Sequence, residues 1–195
     1  MNHKHLLKVL IVIIFSLSLS NNLFAQGFAL KTNLLCDASE TISLGAELSL
    51  AEKSSLSVMA SYNPWEYSDN AKRKYFLIQP EYRKWLRGVY DGFFVGAQLN
   101  YASFNVGGKL PWWIKSFDTF ENNRYQGDLL GIGTTSGYQW ILSPRFNIEF
   151  AVSVGYAHIK YYKYEREAGT PIIEQGIHNY WGISQVGITL VYYIK

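Results

Sequence analysis

HNYWGISQVGITLVYYIK, residues 178–195, alternates with a period of two. Val186, Ile188, Leu190, Tyr192 and Ile194 fall on one face, and Gln185, Gly187 and Thr189 on the other. Successive side chains of a strand point to opposite sides of the sheet, so an apolar outer row over a small polar inner row is the pattern of a lipid-facing barrel strand. Seven more segments share the period, which gives 28–36, 42–50, 56–63, 75–86, 93–105, 125–142, 145–162 and 179–194 in all. In the seventh, Phe146, Ile148, Phe150, Val152, Val154 and Tyr156 alternate with Asn147, Glu149, Ala151, Ser153, Gly155 and Ala157. The polar set is small and glycine-rich, which suits a narrow interior better than a solvent-facing surface. No segment shows a helical period, and there is no linker or low-complexity tract.

The segment lengths and connections specify the architecture further. The connections 51–55, 87–92 and 143–144 are tight, whereas 64–74, 106–124 and 163–178 are long; 37–41 is the short exception on the long side. Short turns at one end and long loops at the other is the outer-membrane pattern, and an even strand count returns both termini to the same side. The expected fold is therefore all-β: an eight-stranded antiparallel up-and-down transmembrane β-barrel with both termini periplasmic, and a monomer. The final strand must pair with 28–36 so that no sheet edge remains.

Residues 1–25 have the order of a secretory signal. A basic stretch carrying Lys4 and Lys8 leads into an apolar run from Leu6 to Leu19, then a polar stretch ending at Ala25. The run is too short for a membrane anchor. Cleavage after Ala25 leaves 26–195 as one barrel domain, about the size of the smallest membrane barrels. Aromatic residues make up 16 % of the chain, with 15 Tyr and 6 Trp, which fits interfacial aromatic girdles. Removing Lys4 and Lys8 from the formal net charge of +3 leaves +1. That balance argues against a nucleic-acid partner, which needs a concentrated basic patch. Cys36 is the single cysteine, so no internal disulfide forms; it reads as a strand-end residue.

Five charged residues share parity with the small polar positions: Lys31, Glu47, Glu81, Arg83 and Glu149. An eight-stranded barrel is filled by side chains, and buried charge without a partner costs several kcal/mol per ion. The expectation is a plug in which Glu47, Glu81 and Glu149 pair with Lys31 and Arg83. The alternative is a narrow ion or proton path through the same network. Pro80 sits within the fourth segment, where it cannot donate to the ladder, so a bulge or interrupted pairing is expected there.

Catalytic motifs are scarce. An outer-leaflet lipid-modifying enzyme would need a His, a Ser and an acidic partner together. His158 is the candidate, with Ser184 read as sharing its face on the neighbouring strand and Glu165 following in a loop; no His-x-Ser pattern exists. No metal-ligand spacing is present, and no cofactor is implied. The long loop VGGKLPWWIKSFDTFENNR, 106–124, carries Trp112, Trp113, Phe117 and Phe120, and Trp65 lies in another long loop. Such clusters mark a surface for a protein partner or an aromatic girdle at the lipid headgroups. Gln185, Gly187, Leu190 and Tyr192 have the spacing by which the barrel-assembly machinery recognises a final strand, which makes that machinery a partner in biogenesis and outer-membrane lipid a permanent one.

Several stretches together resemble the uncharacterised family of small exported barrels catalogued as domain of unknown function 3575. They are 29–35 (ALKTNLL) with Asp37-Ala38, Tyr62-Asn63-Pro64-Trp65, Gln79-Pro80-Glu81-Tyr82-Arg83, Asn105-Val106-Gly107-Gly108, Arg124-Tyr125-Gln126-Gly127, 137–142 (GYQWIL), and His178-Asn179-Tyr180 with Gly182. Position 36 is Cys where the family pattern has an aromatic. The resemblance implies an OmpA/OmpX-like barrel in the outer membrane of a Gram-negative cell, without an assigned activity. Its analogy is a structural or surface-interaction role through extracellular loops, linked to surface-fimbria assembly.

Overall fold

A computed structural model describes residues 27–67, 71–108, 123–165 and 171–194. The strands are β1 (Phe28–Asn33), β2 (Ile42–Ala51), β3 (Ser54–Asn63), β4 (Glu66–Tyr67), β5 (Ala71–Trp85), β6 (Gly92–Gly107), β7 (Asn123–Ile141), β8 (Phe146–Glu165) and β9 (Ile172–Ile194). Apart from β3 and β4, each pairs antiparallel with its chain neighbour, and β1 pairs antiparallel with β9, which closes the sheet. β3 pairs directly with β5, and β4 continues along β5 in the same register: Asn63 faces Tyr75 and Glu66 faces Lys72. β3 and β4 are thus one strand interrupted at Pro64-Trp65, and the ring has eight strands. Closure removes the unpaired backbone edge an open sheet would present.

The two faces are inverted relative to a water-soluble barrel. Inside lie Lys31, Asn33, Glu47, Asn63, Gln79, Gln98, Asn100, Gln139, Asn147, Glu149 and a set of Ser and Thr, all buried. Outside lie Leu44, Leu99, Leu130, Ile132, Trp140, Phe150, Val154, Ile183 and many more large apolar side chains, Trp181 being 77 % exposed. The alternation places each set. On β6 the outward Phe93, Val95, Leu99 and Tyr101 bracket the inward Phe94, Gly96, Gln98 and Asn100.

Several expected boundaries move. The first strand ends at Asn33 rather than at residue 36, and a one-turn helix α1 (Leu34–Ala38) follows. The Asn33 side chain caps it by accepting from the Leu35 N–H at 3.1 Å. The Asp37 carboxylate binds back to the Thr32 hydroxyl at 2.6 Å and the Ser43 hydroxyl at 2.9 Å. These local polar bonds turn the chain where the apolar Leu34 and Leu35 had suggested that the strand continued. Cys36 is therefore a helix residue, not a strand end. Burial pushes its thiol up, a Ser61 hydrogen bond pulling the other way, so the protonated thiol is favoured.

The last strand starts at Ile172, seven residues before the expected start, and takes most of the expected loop 163–178 into the β8–β9 hairpin. The outward apolar row of β8 runs only from Phe146 to Tyr156. At Pro80 there is no bulge. The β5–β6 ladder lapses between Ile78↔Tyr101 and Glu81↔Gln98 and resumes in the same register. A missing donor suffices to explain the lapse.

Candidate functional site: a filled lumen

The interior is stacked in three layers between the short-turn end and the outer rim. At the short-turn end is an aromatic plug. Trp85 packs on Phe94 with centroids 4.8 Å apart, and Tyr90 meets Tyr193 edge-on at 4.7 Å. Ala29, Ala151 and Val191 complete this core. Tyr90 belongs to the β5–β6 turn and adopts φ +72°, a left-handed backbone that sends its ring into the barrel. Its hydroxyl donates to the Gly27 carbonyl at 2.7 Å and the Glu47 carbonyl at 2.9 Å. The Gln139 and Asn147 amides donate to the Tyr193 hydroxyl at 2.8 and 3.1 Å and to the Tyr90 carbonyl at 3.2 and 3.1 Å.

Above the plug, the five charged positions meet. Lys31 Nζ lies 2.8 Å from both Glu47 Oε2 and Glu149 Oε2. Arg83 reaches the same two oxygens through Nη1, at 3.1 and 2.8 Å, and clamps Glu81 Oε2 through Nη2 and Nε at 2.7 and 2.9 Å. All five side chains are at least nine-tenths buried. The cluster is tied to the plug. Ser55 donates to Glu47 Oε1 at 2.6 Å and accepts from Trp85 Nε1 at 2.8 Å, and the Phe94 ring faces the Arg83 guanidinium at 4.3 Å. Gly96 makes room for Glu81, because a Cβ there would fall on its carboxylate.

The third layer is neutral and polar. Gln79 donates to Asn100 at 2.8 Å and to Gln185 at 3.1 Å, Gln98 donates to Ser184 at 3.3 Å, and the Thr135 and Ser153 hydroxyls lie 2.9 Å apart. The space left among these residues and the charge cluster is about 10 Å³, room for at most about one water. Tyr90→Phe keeps the ring and removes the hydroxyl donor shared by the buried Glu47 carbonyl and the more exposed Gly27 carbonyl, which also accepts from the Ser49 N–H. We expect it to lower stability by about 1–2 kcal/mol, measured by urea unfolding. No loss would show that water replaces the hydroxyl at the Glu47 carbonyl.

The catalytic grouping does not assemble. His158 faces outward on β8, paired with Asn179, and its Nδ1 lies 2.9 Å from Asn179 Oδ1. Between Ser153/Val154 and their partners the β8–β9 register shifts, with Ser184 as the extra residue on β9. A bulge resets the alternation. Ser184 accepts from the lumen residue Gln98 instead of sharing the face of His158. It also lies five residues along β9 from the His158 partner, about 17 Å at strand spacing. Glu165 is the last residue of β8, on the opposite parity to His158. Among the described residues, no group of three or more His, Cys, Asp or Glu is placed to hold a metal ion.

Of the loop aromatics, Trp112, Trp113, Phe117 and Phe120 lie outside the described residues. Trp65 is 46 % exposed and donates to the Glu40 carbonyl at 2.6 Å, beside an open hollow of about 660 Å³ lined by Asp37, Glu40, Thr41, Ile42 and Glu66. In the last strand Gln185 and Gly187 face inward. Leu190 and Tyr192 face outward, with Tyr192 stacked on Phe146 at 5.1 Å. The plug residues Trp85, Phe94 and Tyr193 were absent from the candidates, although each has the parity of its small polar neighbours. Tyr90 gave no such signal, because a turn residue has no strand parity.

In comparisons with known proteins, the family model described as "Protein of unknown function (DUF3575)" matches residues 9–194. No curated protein and no solved structure matches.

Proposed function

Because the chain belongs to the DUF3575 family of proteins of unknown function, which supplies no activity to inherit, we propose from the barrel itself that it is a small, non-enzymatic outer-membrane β-barrel. It would serve as a sealed scaffold that presents its outer rim and loops to surface partners. One observation carries this reading: the barrel is apolar outside and filled with polar and charged side chains inside. Exposing that outer wall to water would leave a continuous apolar surface far larger than soluble monomers carry. Bilayer hydrocarbon is the solvent that suits it. Among the described residues, no helix is long and apolar enough to cross a membrane.

The orientation follows from the rim. Tight turns and the outer ends of β1 and β9 share one end, read as periplasmic, and the longer connections with the extended β8–β9 hairpin share the other. Export by the 1–25 segment belongs to the same proposal. The packed lumen favours a scaffold over a channel. Reconstituted in planar bilayers, the protein is expected to give no steps above baseline at 100 mV. Stable, ion-selective openings would refute the sealed-scaffold reading.

A further inference from the structure

We propose that the outward face of the outer rim binds the phosphate groups of a phosphorylated glycolipid in the outer leaflet, through Lys74, Arg124 and Lys160. The inference rests on the membrane orientation proposed above. Its basis is the ladder. Lys72↔Gly107↔Arg124↔Tyr164 forms one row across β5 to β8, Lys74↔Asn105↔Gln126↔Tyr162 the next, and Phe76↔Ser103↔Asp128↔Lys160 the third. Directly paired residues share a face, and the exposed Phe76, Tyr101, Leu130 and Tyr162 fix this face as the outward one. On β6 and β7 the apolar wall formed by Tyr101, Leu130 and Ile132 gives way to these rows, while on β9 the exposed Ile177 beside Lys160 carries it into the third row. A lipid whose tails lie on that wall has its headgroup at this height.

Charge and spacing fit phosphate. The three rows and the adjoining β4 carry four cations, Lys72, Lys74, Arg124 and Lys160, against two carboxylates, Glu66 and Asp128. Lys72 and Lys74 share a single oxygen, Glu66 Oε1, at 3.2 and 2.7 Å, so positive charge stays in excess. Asp128 accepts from the Tyr101 hydroxyl at 3.2 Å. Among the described residues, Lys160 forms no ion pair, and Arg124 Nε is buried without a hydrogen-bond partner, with the Tyr164 ring 4.7 Å from the guanidinium. Gly107 places no side chain between Lys72 and Arg124, while Asn105 and Gln126 place amide groups between Lys74 and Tyr162. β5 and β7 are about 10 Å apart and β5 and β8 about 15 Å, so Lys74 and Arg124 can converge on one phosphate while Lys160 faces a second. A guanidinium and two ammonium groups over an apolar wall, with neutral amides between them, are suited to a phosphorylated lipid headgroup.

The test uses the full-length mature barrel reconstituted in bilayers. Bisphosphorylated lipid A, the same lipid dephosphorylated, and phosphatidylglycerol are each titrated by native mass spectrometry. Wild type is expected to retain bisphosphorylated lipid A over both controls. The Arg124→Gln/Lys160→Gln double variant, which leaves the lumen untouched, is expected to bind it roughly 30-fold more weakly, about fivefold per charge removed. Equal binding by wild type and variant, or equal retention of the dephosphorylated lipid, overturns the site while the membrane reading stands. Equal retention of phosphatidylglycerol overturns the glycolipid assignment. A protein that never enters bilayers overturns both the inference and the reading beneath it.

Discussion

Arg83→Met is expected to destabilise the barrel by about 3–5 kcal/mol, the range seen when one partner of a buried ion cluster is removed. The physical reason is asymmetry. Arg83 touches all three carboxylates, at 2.7 to 3.1 Å, while Lys31 touches only two. Without the guanidinium, Glu81 Oε2 loses both of its donors from that side chain, and Glu47 and Glu149 must share one ammonium in a dry interior. Urea unfolding in lipid vesicles, followed by tryptophan fluorescence, measures the loss. Adding Glu149→Gln in the Arg83→Met background leaves two carboxylates instead of three facing the Lys31 ammonium, so the double variant should be less unstable than the two single losses added together. Strict additivity would mean that the two side chains do not interact as the geometry states, and a loss below about 0.5 kcal/mol for Arg83→Met would mean that water screens the cluster.

The second large effect concerns the opposite face. Val95 stands on β6 in the row Val95↔Ser136↔Val152, level with the middle of the outward apolar row 146–156, 47 % exposed and pointing outward. Val95→Arg on a water-facing wall would change stability by no more than about 0.5 kcal/mol. At the midplane of a bilayer the same change costs about 2–4 kcal/mol, falling toward zero at the interfaces. We expect the larger figure for Val95→Arg in vesicles and a much smaller one for Gln126→Arg, five rows nearer the outer rim on the same face. Equal small costs at both positions would place both in water.

Much of this architecture was legible in the sequence because the barrel obeys one rule, alternation. The parity of Lys31, Glu47, Glu81, Arg83 and Glu149 sufficed to bring five residues from four strands to one cluster, since any inward charge in a narrow barrel meets the others. Alternation failed where the backbone departs from it. Ser184 changes sides because a bulge adds one residue, and nothing in Gly182-Ile183-Ser184-Gln185 announces the shift. Tyr90 entered the lumen from a turn through a positive φ at a non-glycine residue, held by two carbonyls that are distant in the chain. Asn33 ended its strand early because its side chain caps a helix of five residues, too short to carry a helical period. The long β8–β9 hairpin was underestimated because its outer half mixes polar and apolar residues on each face: Gln175, Ile177 and Asn179 share one face and Gly176, His178 and Tyr180 the other, which gives no unbroken apolar row to follow.

The account stands on the claim that the apolar outer wall lies in a membrane, and cell fractionation addresses it most directly. Envelopes of cells expressing the full chain are separated by density, and the outer-membrane fraction is washed with alkaline carbonate. The predicted result is a protein that stays in the washed outer-membrane pellet, with a folded form that migrates faster than the boiled form on gels. Recovery in the soluble periplasmic fluid, or release by carbonate, would contradict the account.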